Sequence, residues 1–225
     1  MSWDTIDWTP FVLSLKLSAL TTVILFAIAI PLVFYLHTYK FPGKSVVRAI
    51  ITLPMVLPPS VLGFYLLLSF NKDHILGKVW TTVTGKNLAF SFEGILLGSV
   101  IYSLPFMINP IYSSLENLSN DFRWVSYSMG KSKWTTYLKV LLPQVRGAII
   151  SAVVLSFAHT IGEFGVILMI GGNIPDETRV ASIAIYHEME ALRLDTAGVY
   201  AGIMLLFSTV VLTTIYSLDK KWLTN

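Results

Sequence analysis

The sequence predicts an all-α integral membrane protein of about five transmembrane helices, with its N-terminus outside and its C-terminus in the cytoplasm. Three observations predict it. First, 54% of the 225 residues are hydrophobic and 13% are charged, whereas a soluble domain carries about 25% charged residues. Second, five stretches are long and apolar enough for a hydrocarbon core that takes about 20 residues of helix. They are residues 11–39, 46–70, 92–115, 145–170 and 197–218, so the membrane domain covers 11–218. Third, the basic residues are lopsided. The loop after residue 39, the 120–144 loop and the C-terminus hold Lys40, Lys44, Arg48, Arg123, Lys131, Lys133, Lys139, Arg146, Lys220 and Lys221, which is 10. The opposite side holds Lys72, Lys78, Lys86, Arg179 and Arg193, which is 5, and Lys16 inside the first stretch completes the 16. The richer side is cytoplasmic by the positive-inside rule.

Each element has its own warrant. The opening M-S-W-D-T-I-D-W carries two acids and no basic residue, so the first stretch reads as a mature span rather than a signal peptide. The second stretch contains Pro54, Pro58 and Pro59 with Gly63 just beyond. Proline removes a backbone donor and kinks a helix, so this span is bent, either for packing or to line a pathway. Residues 71–91 read as a loop. Gly94/Gly98 and Gly198/Gly202 have the spacing that lets membrane helices approach closely, within one subunit or between two. The fourth stretch carries an acid, Glu163, whose insertion costs roughly 2.5–3.5 kcal/mol at a helix centre. It should therefore face the bundle interior with a partner, and His159 stands four residues earlier on the same helical face. The two form either a buried pair that holds helices together or a gate. Residues 180–194 are amphipathic and too polar to span, and they read as a re-entrant or surface helix. Hydroxyls at Thr52, Ser60, Ser103, Ser151, Ser156 and Thr160 are equal candidates for contacts with a passing ligand, since any of them can bond back to its own helix.

The cytoplasmic stretch N-D-F-R-W-V-S-Y-S-M-G-K-S-K-W-T-T-Y-L-K-V-L-L-P-Q (120–144) is the most specific feature. Asp121 is placed to cap a helix that Gly130 ends in a left-handed conformation, and a second, basic helix follows. Pro143 then opens the fourth span, where a missing N–H costs nothing. Trp124, Trp134 and Tyr137 are large apolar anchors of the kind that fill a partner's groove. The competing reading is a basic helix lying on anionic lipid.

Other chemistry is not indicated. With no cysteine there is no disulfide or thiolate metal site, and His37, His74, His159 and His187 lack metal-ligand spacing. Gly43-Lys44-Ser45 and Gly130-Lys131-Ser132 resemble the end of a P-loop, but Thr38 and Val125 stand where its first glycine is required. Asn117-Leu118-Ser119 matches a glycosylation sequon on the cytoplasmic side. The expectation is a protein that is not an enzyme, with no cofactor, no metal and no nucleic-acid partner.

Gly130, nine residues, Val140, one residue and Leu142-Pro143 resemble the cytoplasmic-loop signature of type I binding-protein-dependent ABC importer permeases. Trp124-Val125-Ser126 stand where that signature has Glu-Ala-Ala. The stretches L-P-M-V-L-P-P-S-V-L-G-F-Y-L-L-L (53–68) and I-G-E-F-G-V-I-L-M-I-G-G-N-I-P-D-E-T-R (161–179) are similar to those of the molybdate permeases within that family. The resemblance runs from about Leu13 to Leu218. It implies a pore-forming subunit in the inner membrane of a prokaryote, paired as a homodimer in membrane lipid. It further implies cytoplasmic ABC ATPase subunits as the motor and an external molybdate-binding protein as the source of cargo. The ATPase-coupling residues implied are Trp124, Val125, Ser126, Gly130, Trp134, Val140, Leu142 and Pro143. Pathway or gate candidates are His159, Glu163, Pro58 and Pro59, and the family usually has Arg where His159 stands. Sulfate and tungstate permeases share parts of these motifs and remain alternative cargoes. An ion-coupled secondary transporter is the alternative from another class, although its usual inverted repeats are not visible.

Overall fold

Thirty consecutive residues without an acid, Thr9–Thr38, form the first helix, α1. At about 1.5 Å per residue it is about 45 Å long, more than the roughly 30 Å of a hydrocarbon core. The computed structural model describes residues 6–223, with side chains to residue 213. Residues 1–5 and the side chains of Lys220 and Lys221, which entered the charge and leader arguments above, lie outside the described residues. The remaining helices are α2 (Lys44–Val56), α3 (Pro59–Phe70), α4 (Ile75–Thr84), α5 (Phe92–Glu116), α6 (Asp121–Ser128) and α7 (Lys133–Thr136). A π-helical turn (Tyr137–Leu141) leads into α8 (Leu142–Gln144), followed by α9 (Arg146–Ile161), α10 (Gly165–Gly171), α11 (Ala181–Glu190) and α12 (Leu194–Leu223).

α5 is the hub and packs against α1, α2, α9 and α10. Ser91 starts it by accepting a hydrogen bond from the Gly94 N–H at 3.1 Å, which satisfies one of the free donors of its first turn. Lipid gives helices no hydrophobic reason to associate, so close packing at small residues must hold them. Gly94 and Gly98 supply it. A Cβ on Gly94 would lie 2.1 Å from the Leu88 carbonyl oxygen, and one on Gly98 would lie 2.5 Å from Ile170. This glycine pair therefore serves packing inside the subunit, while Gly198 and Gly202 face open space. One apolar cluster joins Leu25, Val33, Leu36, Met107, Ile111 and Tyr137 near the 120–144 loop. A second joins Leu17, Leu66, Ile95, Val166 and Ile170 towards the other end of α5.

On α1 the buried hydroxyls of Ser14, Ser18 and Thr22 donate to the carbonyls of Pro10, Ser14 and Ser18, four residues back. Each polar group is thus satisfied within its own helix, as a nonaqueous setting requires. Ser14 Oγ also accepts the Ala181 N–H at 2.8 Å, which ties the start of α11 to α1.

Two of the five expected spans are broken. Residues 46–70 are not one bent rod but α2 and α3, set at 111° to each other around Leu57 and Pro58. Two adjacent prolines deny the helix its donors there, and Pro59 instead begins α3, where its fixed φ suits a first turn. Residues 145–170 likewise divide into α9 and α10, interrupted at residues 162–164. Among the described residues three helices, Thr9–Thr38, Phe92–Glu116 and Leu194–Thr213, are long and apolar enough to cross a membrane, and up to five spans result if the bent pairs Lys44–Val56 with Pro59–Phe70 and Lys133–Gln144 with Arg146–Ile161 each count as one. The expected loop at 71–91 contains α4, whose Gly77 lies against the Phe70 and Asn71 carbonyls. The 180–194 segment contains α11, in which Ala181, Ile183 and Ala184 are buried against the bundle and the exposed surface begins at Met189.

Candidate functional site

The 120–144 stretch folds as two short helices clamped onto α1. Gly130 has φ of +74°. The Lys131 N–H donates to the Ser126 carbonyl at 3.2 Å, and the Gly130 N–H donates to the Tyr127 carbonyl at 2.9 Å. This pair of bonds is the Schellman closure of a helix, which favours glycine at the left-handed position. Asp121 does not cap α6. It occupies the first turn and accepts from the Ser119 hydroxyl at 2.7 Å, while Asn120 precedes the helix without a side-chain bond. The acid still complements the positive helix end.

Ser126 faces inward, its hydroxyl 2.8 Å from that of Thr136, so α6 is pinned to α7. Ser132 caps α7 through the Thr135 N–H at 3.2 Å. Tyr137 is 1% exposed and its hydroxyl donates to the Ile30 carbonyl of α1 at 2.9 Å. Trp134 stacks edge-on to Phe34 with ring centres 4.6 Å apart. Two of the three expected aromatic anchors therefore hold the loop to its own membrane helix rather than offering it to a partner. Trp124 is the one that points out, 70% exposed, and Phe122, Val125 and Met129 are exposed with it. The sequence signal for this split is Ser126, whose small hydroxyl marks the inward side of α6. Val140 and Leu142 are half-buried and Pro143 is exposed. The wide π turn just before Pro143 makes room where a proline ring would collide with the carbonyl four residues back. The chain then turns through 80° between Lys133–Gln144 and α9.

The other candidates gather at the helix breaks. Pro59 lies against Gly165, where an added Cβ would be 2.8 Å from the proline Cβ. A Cβ on Gly63 would lie 2.7 Å from Met169. The break after Pro58 and the break before Gly165 thus meet along one seam between α3 and α10. The expected His159–Glu163 pair does not form. The α-helix ends at Ile161, so the four-residue register that would have stacked them is lost. His159 instead lies on the Phe106 ring at 4.0 Å and places Nδ1 3.0 Å from the Ser103 hydroxyl, which is also 3.0 Å from that of Thr160. Of the six hydroxyl candidates, Ser103 and Thr160 join this network, while Ser60 and Ser151 are exposed. Glu163 is 4% exposed, and among the described residues neither carboxyl oxygen meets a hydrogen-bond partner. Its backbone carbonyl accepts from Ser182 of α11 at 2.7 Å. Outside the spans, Arg193 grips Glu188 through two bonds and holds its carboxyl below the usual range.

The fold matches that of a bacterial ABC transporter involved in the import of the acidic polysaccharide alginate. The TM-score is 0.79 at 14% identity, covering 98% of this chain and 80% of that one. The Molybdenum transport system permease protein ModB of Azotobacter vinelandii is 40% identical over 94% of this chain and 93% of its own length. Its namesake in Escherichia coli (strain K12) is 30% identical over 96% of this chain. The Sulfate transport system permease protein CysT of Escherichia coli (strain K12) is 29% identical over 83% of this chain. A match to the family described as "Binding-protein-dependent transport system inner membrane component" spans residues 29–224, which includes the clamped loop and both helix breaks. The chain belongs to that family: it is a multi-pass inner-membrane permease component of an ABC importer.

Proposed function

We propose that the anion this permease passes is molybdate. A permease of this family works with a separate ATPase and an external binding protein, and is not itself the ATPase. The observation that carries the cargo reading is the 40% identity, over nearly the full length of both chains, to a molybdenum permease, against 29% for a sulfate one. The sparse fixed charge within the spans supports an anion that is released rather than gripped, because tight binding would slow exit. Uptake by the assembled importer should be blocked by competing molybdate at lower concentration than by tungstate or sulfate. Stronger competition by sulfate would reassign the cargo.

In this reading the N-terminus lies outside, and the 120–144 loop meets the ATPase from the cytoplasmic side. Support comes from the pinning of α6 to α7 and of the loop to α1, which lets a push on α6 reach the spans. Exposed Trp124, with Val125 and Met129, is the contact, while Gly130, Ser126, Trp134, Val140, Leu142 and Pro143 keep the loop in shape. Two copies form the pathway, with the exposed α2–α3 face (Leu53, Met55, Val56, Val61, Phe64, Tyr65) between them, and Pro58, Pro59, His159 and Glu163 close to the moving seam. ATP favours one of the two pore states because the ATPase dimer binds it better in that state. Replacing Trp124 by Ala should lower co-purification of the ATPase, a loss of about 2 kcal/mol being typical of an aromatic anchor at an interface. Replacing Trp134 by Ala should instead lower the thermal stability of the permease. Equal ATPase retention in W124A and wild type would remove the docking assignment.

A further inference from the structure

A cavity of about 190 Å³ lies between the end of α1 and the helices α6 and α7. His37, Asn120, Arg123, Trp124, Tyr127 and Lys133 line it. Two of these carry a fixed positive charge. Among the described residues Arg123 makes no ion pair, and Lys133 rests over the Tyr39 ring at 4.9 Å. The acid near this end of α1, Glu116, is engaged by Lys44 at 3.9 Å and by the Tyr112 hydroxyl. His37 is 8% exposed, and its Nε2 is buried without a hydrogen-bond partner. The lining therefore offers donors from three side chains (Asn120, Arg123, Lys133) and a hydroxyl from Tyr127, with no carboxylate among them. This is the chemistry of an oxyanion site.

The surroundings identify where the oxyanion comes from. Tyr35, Tyr39 and Trp134 are each at least 39% exposed around this end of α1. Aromatic residues of this kind settle at the headgroup level of a bilayer. Basic pockets between helices at that level take lipid phosphates. We propose that this cavity holds the phosphate of an anionic phospholipid of the cytoplasmic leaflet, bridging α1 to the 120–144 loop. Arg123 faces the phosphate with its planar fork and Lys133 adds charge. The lipid then stiffens the joint that carries force into the membrane helices.

The test uses the assembled, delipidated importer titrated with phosphatidylglycerol, phosphatidylcholine or inorganic phosphate, with bound lipid read by native mass spectrometry. Phosphatidylglycerol should be retained over phosphatidylcholine. The combined Arg123→Gln and Lys133→Gln substitutions should weaken its retention about tenfold or more, a change of about 1.4 kcal/mol. Lys131→Gln, on the same loop but outside the cavity, should leave retention unchanged. If the double variant does not assemble, Arg123→Gln alone is compared with Arg123→Lys, and only the first should lose the lipid. Equal retention of the two lipids, or undiminished retention in the neutral variants, overturns the site. Displacement of phosphatidylglycerol by inorganic phosphate at matching affinity overturns the lipid source. Because lipid retention is read without transport, it is independent of which anion is imported.

Discussion

Replacing Gly130 by Val should abolish coupled uptake while leaving the permease in the membrane. Position 130 has φ of +74° and closes α6 through two backbone bonds. An L-residue in that conformation costs roughly 1–2 kcal/mol, and a β-branched one more. Nothing lies within 4 Å of an added Cβ, so the penalty is purely conformational and does not come from crowding. The helix end can escape it only by letting the Lys131 and Gly130 bonds go, which frees α6 from the register set by Ser126 and Thr136. If α6 is the contact proposed above, ATP hydrolysis should continue in the assembled complex while uptake falls at least about tenfold, equivalent to about 1.4 kcal/mol of lost coupling. G130A should show a smaller loss than G130V. Wild-type uptake in G130V would show that the loop's shape does not matter for transport.

The second large effect is expected at Gly165. An added Cβ would stand 2.8 Å from the Cβ of Pro59, a ring that cannot rotate out of the way. Overpacking a tight contact costs typically about 1–3 kcal/mol, so G165A should lower the midpoint of thermal aggregation of the detergent-purified permease, and G165L should accumulate poorly. Gly63, which meets Met169 and the backbone of Val166, lies on the same seam. Its flexible neighbour Met169 can shift in part, so G63A should cost less than G165A. If G165A matches wild type in stability, the α3–α10 seam is looser than these distances require.

The helices were legible where their signal is long and redundant. α1 and α5 run within two residues of the expected spans, because mostly apolar runs of thirty and twenty-five residues admit few other readings. Gly130 was legible because a single backbone conformation demands it. The fourth span was misread for a physical reason: hydropathy sums over residues 145–170 and is blind to where hydrogen bonding stops. The prolines at 58 and 59 did announce a bend, but not one of 111°, since the size of a kink is set by what packs on both sides. The inward turn of Trp134 and Tyr137 was hidden because their partners, Phe34 and Ile30, lie about a hundred residues away in the chain. The His159–Glu163 pairing failed with the helix that would have carried it. α4 was missed because its sequence, ILGKVWTTVT, is rich in β-branched residues that favour other conformations.

The hydroxyl ladder on α1 has a mechanical consequence. Ser14, Ser18 and Thr22 spend their protons on carbonyls of their own helix, so this buried strip presents no donors that a neighbouring helix must surrender when it shifts. Along these turns friction is limited to van der Waals contact, and a neighbour can slide without a hydrogen bond being broken in a medium that has no water to replace it. The exception is the bond from Ala181 to Ser14, which acts as a pivot. α11 is held there and again where Ser182 meets the Glu163 carbonyl, and the far end of α1 is held by Tyr137, so only the turns between form a smooth shaft.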